Sequence, residues 1–222
     1  MFCLKAFGNP TLLRHRVMYK KDPRYRDCLL LIYYRNPALG KVKTRLAAGI
    51  GDEAALAVYY RLASHTRDLA RVLAMDCRVC YSDFIDREDA WPNSRFQKTL
   101  QQGSDLGERM SNSFRQAFAD GYRHVVIIGT DCLELTTAVV QTAFDQLAAH
   151  DVVIGPARDG GYYLLGMKQW QATLFQNKKW GSSSVLADTL TNTTRLQLHV
   201  KQLVTLTDVD EADDLPPSWH LS

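Results

Sequence analysis

Apolar runs and amphipathic stretches alternate along most of this chain. From Cys28 the run CLLLIYY is continuously apolar and rich in strand formers, as expected of a parallel strand covered on both faces. A loop punctuated by Gly and Pro follows, RNPALGKVKTRLAAGIG. Asp52 is then placed to cap a helix whose Leu56, Tyr59, Leu62, Ala63, Leu69, Ala70 and Leu73 recur at helical spacing. CRVCYS, from Cys77, reads as the second strand, and the stretch from Trp91 to Lys98 as irregular.

The turn GSDLG opens a helix with apolar Leu106, Met110, Phe114, Ala117 and Phe118, stopped by Gly121. HVVIIG is a buried strand, and a helix capped by Thr136 carries Val140, Ala143, Phe144 and Leu147. Strands DVVIGP and GYYLLGM come next, then a short Ser-capped helix around Val185 to Leu190 and two strands, LQLHV and LVTL. Strands alternating with helices imply crossover connections, so the pattern predicts a three-layer α/β/α domain around a mainly parallel sheet. In such sheets ligands bind at the carboxyl ends of the strands.

Composition narrows the class. With 46% hydrophobic and 23% charged residues, the 222-residue chain suits one α/β domain with a large core. Its longest apolar run is far below the roughly 20 residues of a membrane span, and no secretory h-region opens it. Five scattered cysteines suit reduced thiols, so a cytoplasmic location is expected. The net charge of +3 is uneven. Residues 1–27 carry seven Lys/Arg against Asp22 and Asp27, a basic leader expected to be peripheral or to act as a subunit-contacting arm. The domain proper, 28–222, is mildly acidic, which argues against nucleic acid as a partner.

Four loops leaving apolar segments carry candidate chemistry. NPALGKVKTRL gathers Gly40, Lys43 and Arg45, a mobile backbone with cations that suits a diphosphate, although a solvated basic loop reads similarly. GTDCLEL puts Asp131 directly after a buried strand, where a carboxylate is costly without a cation. A hard metal ion shared with two phosphate oxygens would balance it, with helix capping as the alternative. ARDGGYYLLG aims Asp159 from a turn whose two glycines allow close approach, and a plain β-turn is the other reading. LTDVDEADDL concentrates five acids from Asp208 to Asp214, either a solvated helix start or carboxylates near a metal. Cys77 and Cys80, three apart on a strand, face opposite sides and make no metal or redox pair.

Taken in order, GKVKTRL, GSDLGERM, GTDCLEL, DGGYYLLG, KKWGSSSVL and LTDVDEADDL resemble bacterial GT-A-like glycosyltransferases associated with radical-SAM proteins and arsenosugar biosynthesis. That group is related to guanylyltransferases of cofactor biosynthesis. This chain departs from the family at Leu133, where proline is usual, and at Tyr34 and Arg35, where an Ala-Lys pair is usual. The resemblance implies a GT-A nucleotide-diphospho-sugar transferase fold. It implies that Lys43 and Arg45 touch phosphates and that Gly103, Asp105 and Gly107 line a nucleotide pocket. It further implies that Asp131 holds Mg²⁺ or Mn²⁺, that Asp159 faces the donor sugar or acceptor, and that Asp210 or Asp214 completes the metal surroundings.

The function expected is therefore metal-dependent glycosyl transfer, with Asp159 and Asp131 as catalytic residues. Partners would be a nucleotide or nucleotide-sugar and a small-molecule acceptor, with a homodimer as a further option. Nucleotidyl transfer with release of pyrophosphate is the alternative chemistry, and a non-catalytic nucleotide-binding module the alternative of another class.

Overall fold

The computed structural model describes residues 22–219. Most of the basic leader, residues 1–21, lies outside them. Residues 22–27 belong to the folded body: Tyr25 is buried, its hydroxyl donates to Asp145 at 2.8 Å, and its ring meets Phe144 edge-on. The packed structure thus starts before Cys28.

Seven strands form one sheet: β1 (Cys28–Tyr34), β2 (Asp76–Tyr81), β3 (Gln97–Leu100), β4 (His124–Ile128), β5 (Val152–Pro156), β6 (Tyr162–Met167) and β7 (Val200–Gln202). Their spatial order is β3-β2-β1-β4-β6-β5-β7. Among them only β6 runs antiparallel to its neighbours. Helices α1 (Thr44–Ile50), α2 (Asp52–Val72), α3 (Leu106–Ala119), α4 (Thr137–Gln146) and α5 (Val185–Arg195) complete the fold. The fold is mixed α/β with a mainly parallel central sheet, as the sequence pattern predicts.

Both faces of the sheet are covered, which explains the unbroken apolar strands. Leu30 and Ile32 join α2 and α4 in one core cluster, whereas Leu29 and Leu31 join α3 in the other. Cys77 and Cys80 separate onto the two faces in the same way. All four leucines and isoleucines of this run are fully buried, so truncating one to alanine should cost about 2–5 kcal/mol. Among the described residues no helix is long and apolar enough to cross a membrane.

Several elements differ from expectation. The KTRLAAGI part of the first loop is a seven-residue helix, α1, that buries only Leu46, too little to leave a periodic signal. Asp52 is the first residue of α2 rather than its cap, which is Gly51. Strand β3 lies at the sheet edge with no buried residue, so no alternation marks it. LQLHV and LVTL are not two strands: β7 covers only Val200–Gln202, and Leu206 makes a single bridge to Ala157.

Candidate functional site

Because β1, β4, β5 and β7 run in the same direction, the segments leaving their carboxyl ends converge at one edge. These segments hold Lys43 and Arg45, then Asp131, then Asp159, then Asp208 and Asp210. Backbone bonds tie them together: Val209 donates to the Asp131 carbonyl at 2.9 Å, and Arg158 donates to the Leu206 carbonyl at 3.0 Å.

Lys43 lies at the centre. It occupies the N-cap position of α1 in a left-handed conformation, φ 50°, which turns its side chain inward instead of along the helix. Its side chain is only 5% exposed, and the ammonium lies 2.6 Å from Asp131 Oδ1 and 3.0 Å from Asp210 Oδ1. Burial opposes the charge, but the two carboxylates outweigh it and raise the Lys43 pKa above its ordinary value. Arg45 pairs with the other oxygen of Asp210 and reaches Glu211 at 3.6 Å. A groove of about 230 Å³ opens over these groups, walled also by Arg35, Tyr59 and Thr130.

Asp131 also lines a second cleft, of about 290 Å³, whose lining does not include Lys43. There it is joined by Asp159 and Asp208, facing Tyr33, Tyr162 and Trp180. Asp208 is pushed up to about 7, first by burial and then by the negative charges of Asp131 and Asp210, with Lys43 countering only in part. Asp159 is exposed, with Oδ1 accepting the Gly161 N–H at 2.8 Å.

Other residues singled out in the sequence hold turns, caps or packing contacts. The Asp105 side chain caps α3 by accepting from Glu108 N–H at 2.8 Å, and Glu108 returns the bond by accepting from Ser104. Gly103 is the turn glycine before it, with φ 145° and no room for a Cβ beside the Arg109 and Glu108 backbone. Gly107 packs against Trp180. Gly40 sits in the turn ahead of Lys43, with Asp52 beside it. None of these four lines either cleft. Asp214 Oδ2 accepts the backbone N–H groups of Asp210 and Glu211, so that carboxylate holds a turn. Asp208 is the site residue that sequence reasoning passed over within its own acidic cluster. Its signal was position, directly after an apolar segment that returns to the sheet edge.

Comparison with known proteins bears on this geometry. A family described as an uncharacterized protein conserved in bacteria (DUF2064) matches residues 65–182, more than half of the chain. The chain belongs to the DUF2064 family. A candidate nucleotide-diphospho-sugar transferase from Desulfovibrio desulfuricans G20 is 34% identical, with a TM-score of 0.79 over 84% of this chain and 83% of that one. The inositol-1-phosphate CTP transferase from T. maritima shares the fold at 14% identity, with a TM-score of 0.53 over 86% of this chain and 92% of that one. So does Rv0371C of Mycobacterium tuberculosis H37Rv, solved as a complex with manganese: 14% identity and a TM-score of 0.52 over 84% of this chain and 95% of that one. No curated protein matches in sequence.

The carboxylates of this DUF2064 protein suit a divalent cation in a restricted way. Among the described residues no three His, Cys, Asp or Glu side chains close on one point as a preformed cage. Asp131 and Asp208 nevertheless line one cleft, and the burial and repulsion that push the Asp208 carboxyl up are of the kind a cation bound between the two would relieve. Such a donor set fits an ion taken by one or two carboxylates and completed by phosphate oxygens and water, the habit of Mg²⁺. Asp210, engaged by Lys43 and Arg45, is less free to serve.

Proposed function

We propose that this protein is a nucleotide-dependent transferase that moves a sugar from a nucleotide-diphosphate-sugar donor to a small-molecule acceptor, in the manner of GT-A enzymes. The observation that carries this reading is the meeting of Lys43 and Arg45 with Asp131 and Asp208 at the carboxyl edge of the sheet. Cations alone would suit any anion, and carboxylates alone any cation. Together, in two clefts that share Asp131, they suit a diphosphate bridged to a metal ion. The 34% identity to a candidate nucleotide-diphospho-sugar transferase supports the same class.

Mg²⁺ or Mn²⁺ held by Asp131 and Asp208 would neutralise charge on the diphosphate. Lys43 and Arg45 bind the phosphates, exchanging part of their pairing with Asp210 for the ligand. The acceptor oxygen bonds to the anomeric carbon as the bond from that carbon to the diphosphate breaks, and the nucleoside diphosphate leaves. Asp159, exposed and with Oδ1 oriented by the Gly161 N–H, takes the acceptor proton. Nucleotidyl transfer uses the same cradle, and the T. maritima neighbour keeps that chemistry in view. In that case an acceptor phosphate attacks the α-phosphate of a nucleoside triphosphate and pyrophosphate leaves. A cytoplasmic location and the arsenosugar association belong to this proposal as well.

The test is a thermal-shift series with nucleoside diphosphates, triphosphates and nucleotide sugars, each with Mn²⁺ or with EDTA. Stabilisation only with Mn²⁺ is expected, and turnover should release nucleoside diphosphate. Pyrophosphate as the product would select the nucleotidyl reading. Equal shifts in EDTA would remove the metal from the site.

A further inference from the structure

Two glycines in separate motifs mark one feature. A Cβ on Gly107, in the first turn of α3, would lie 2.4 Å from Trp180 Nε1 and 2.7 Å from the Phe175 carbonyl oxygen. A Cβ on Gly160, in the turn between β5 and β6, would lie 2.2 Å from the Ser183 carbonyl oxygen. Neither contact leaves room for a side chain. The segment 180–183 is therefore strapped across the cleft between helix α3 and the Asp159 turn, and Leu186 N–H fastens its far end to the Gly160 carbonyl at 2.9 Å. Ser182 braces the near end by donating to the Lys179 carbonyl at 2.7 Å.

We propose that this strap is the selectivity wall of the site: Trp180, packed against α3 where only the glycine at 107 leaves room for it, receives the apolar face of a hydroxyl-bearing ring whose hydroxyls meet Asp159 and Asp131. The proposal rests on the transferase reading and deepens it. The chemistry follows from the cleft's two kinds of lining. Tyr33, Tyr162 and Trp180 contribute aromatic rings to it, and Asp131, Asp159 and Asp208 contribute carboxylate acceptors. A pyranose suits both, with C–H groups on its faces and hydroxyls at the rim, and a diphosphate group suits neither. Gly107, in a motif that resembles a nucleotide-binding turn, thus acts as a positioning residue through Trp180. The ring arrives either as the sugar of a nucleotide sugar or as a free sugar phosphate.

Calorimetric titration with Mn²⁺ of the wild type, Trp180→Phe, Trp180→Ala and Gly107→Ala separates these sources. The probes are UDP and GDP, UDP-glucose and GDP-mannose, and glucose 1-phosphate and mannose 1-phosphate. For Trp180→Ala and Gly107→Ala, the sugar-bearing probe that the wild type takes should bind about tenfold more weakly, with the nucleoside diphosphate within about twofold. Trp180→Phe, which keeps a flat ring and guards against a folding defect in the glycine variant, should retain most of the affinity. Equal losses for diphosphate and sugar-bearing probe, or no loss in Trp180→Ala, would overturn the strap while leaving the nucleotide reading in place. Binding of a sugar phosphate that depends on Trp180, with no nucleotide bound, would overturn the nucleotide reading and support the strap. A wild type that takes no sugar-bearing probe overturns both.

Discussion

The loop between β1 and α1 and the turn before α3 look alike as sequence. Each combines glycine with charged residues ahead of a helix, KVKTRL in one and GSDLGE in the other. In the folded protein they do different things. Asp105 and Glu108 use their carboxylates on the first backbone N–H groups of α3 and its approach, and Gly103 shapes the turn, so the charges of this motif are consumed locally and only Gly107 reaches another part of the chain, by packing against Trp180. In the β1–α1 loop, Lys43 adopts a left-handed conformation and sends its ammonium to Asp131 and Asp210, 88 and 167 residues later in sequence. A polar group satisfied within its own turn contributes to stability. One that meets its partners across the fold at the edge of an open cleft, as Lys43 does, is placed to exchange a partner for a ligand.

The sharpest way to break this contrast is Asp131→Asn. The amide keeps the shape and removes the charge, so Mn²⁺-dependent nucleotide stabilisation should vanish, and the ligand-free melting temperature should also drop because buried Lys43 loses the nearer of its two carboxylates. Unchanged metal dependence in calorimetry would show that Asp131 serves only as the partner of Lys43.

Lys43→Met should act less severely on binding. It deletes a charge-assisted phosphate contact worth roughly 1.5–3 kcal/mol, so nucleotide affinity should fall by about one to two decades with metal dependence retained. It also leaves Asp131 and Asp210 without their shared cation, so the melting temperature should drop in the absence of ligand. Affinity equal to wild type would place the phosphates elsewhere.

The smallest effect belongs to the other motif. Asp105→Ala removes a helix cap and should cost about 0.5–2 kcal/mol, read by urea unfolding, with nucleotide affinity within about twofold of wild type. A parallel loss of nucleotide affinity would mean that the α3 turn touches the ligand, and the contrast between the two loops would collapse.

What the sequence determined by itself was whatever depends on neighbours a few residues apart. The long apolar runs of β1, β4 and β5, the α2 and α3 periodicities, and the Thr136 cap of α4 are all local patterns, and all stand in the fold. The separation of Cys77 from Cys80 follows from strand geometry alone. Short elements that bury little, α1, β3 and β7, lacked that pattern and were missed or misplaced. Asp131 and Asp159 were legible because each follows an apolar strand.

Tertiary structure alone decided which carboxylates of LTDVDEADDL face the cleft. Asp214 turns back to backbone N–H groups, Asp210 to Lys43 and Arg45, and Asp208 into the cleft with Asp131. In sequence these three acids are equivalent, because charge and spacing are shared. What distinguishes them is burial and the sign of groups brought close from other strands, and those distances exist only once the sheet has formed.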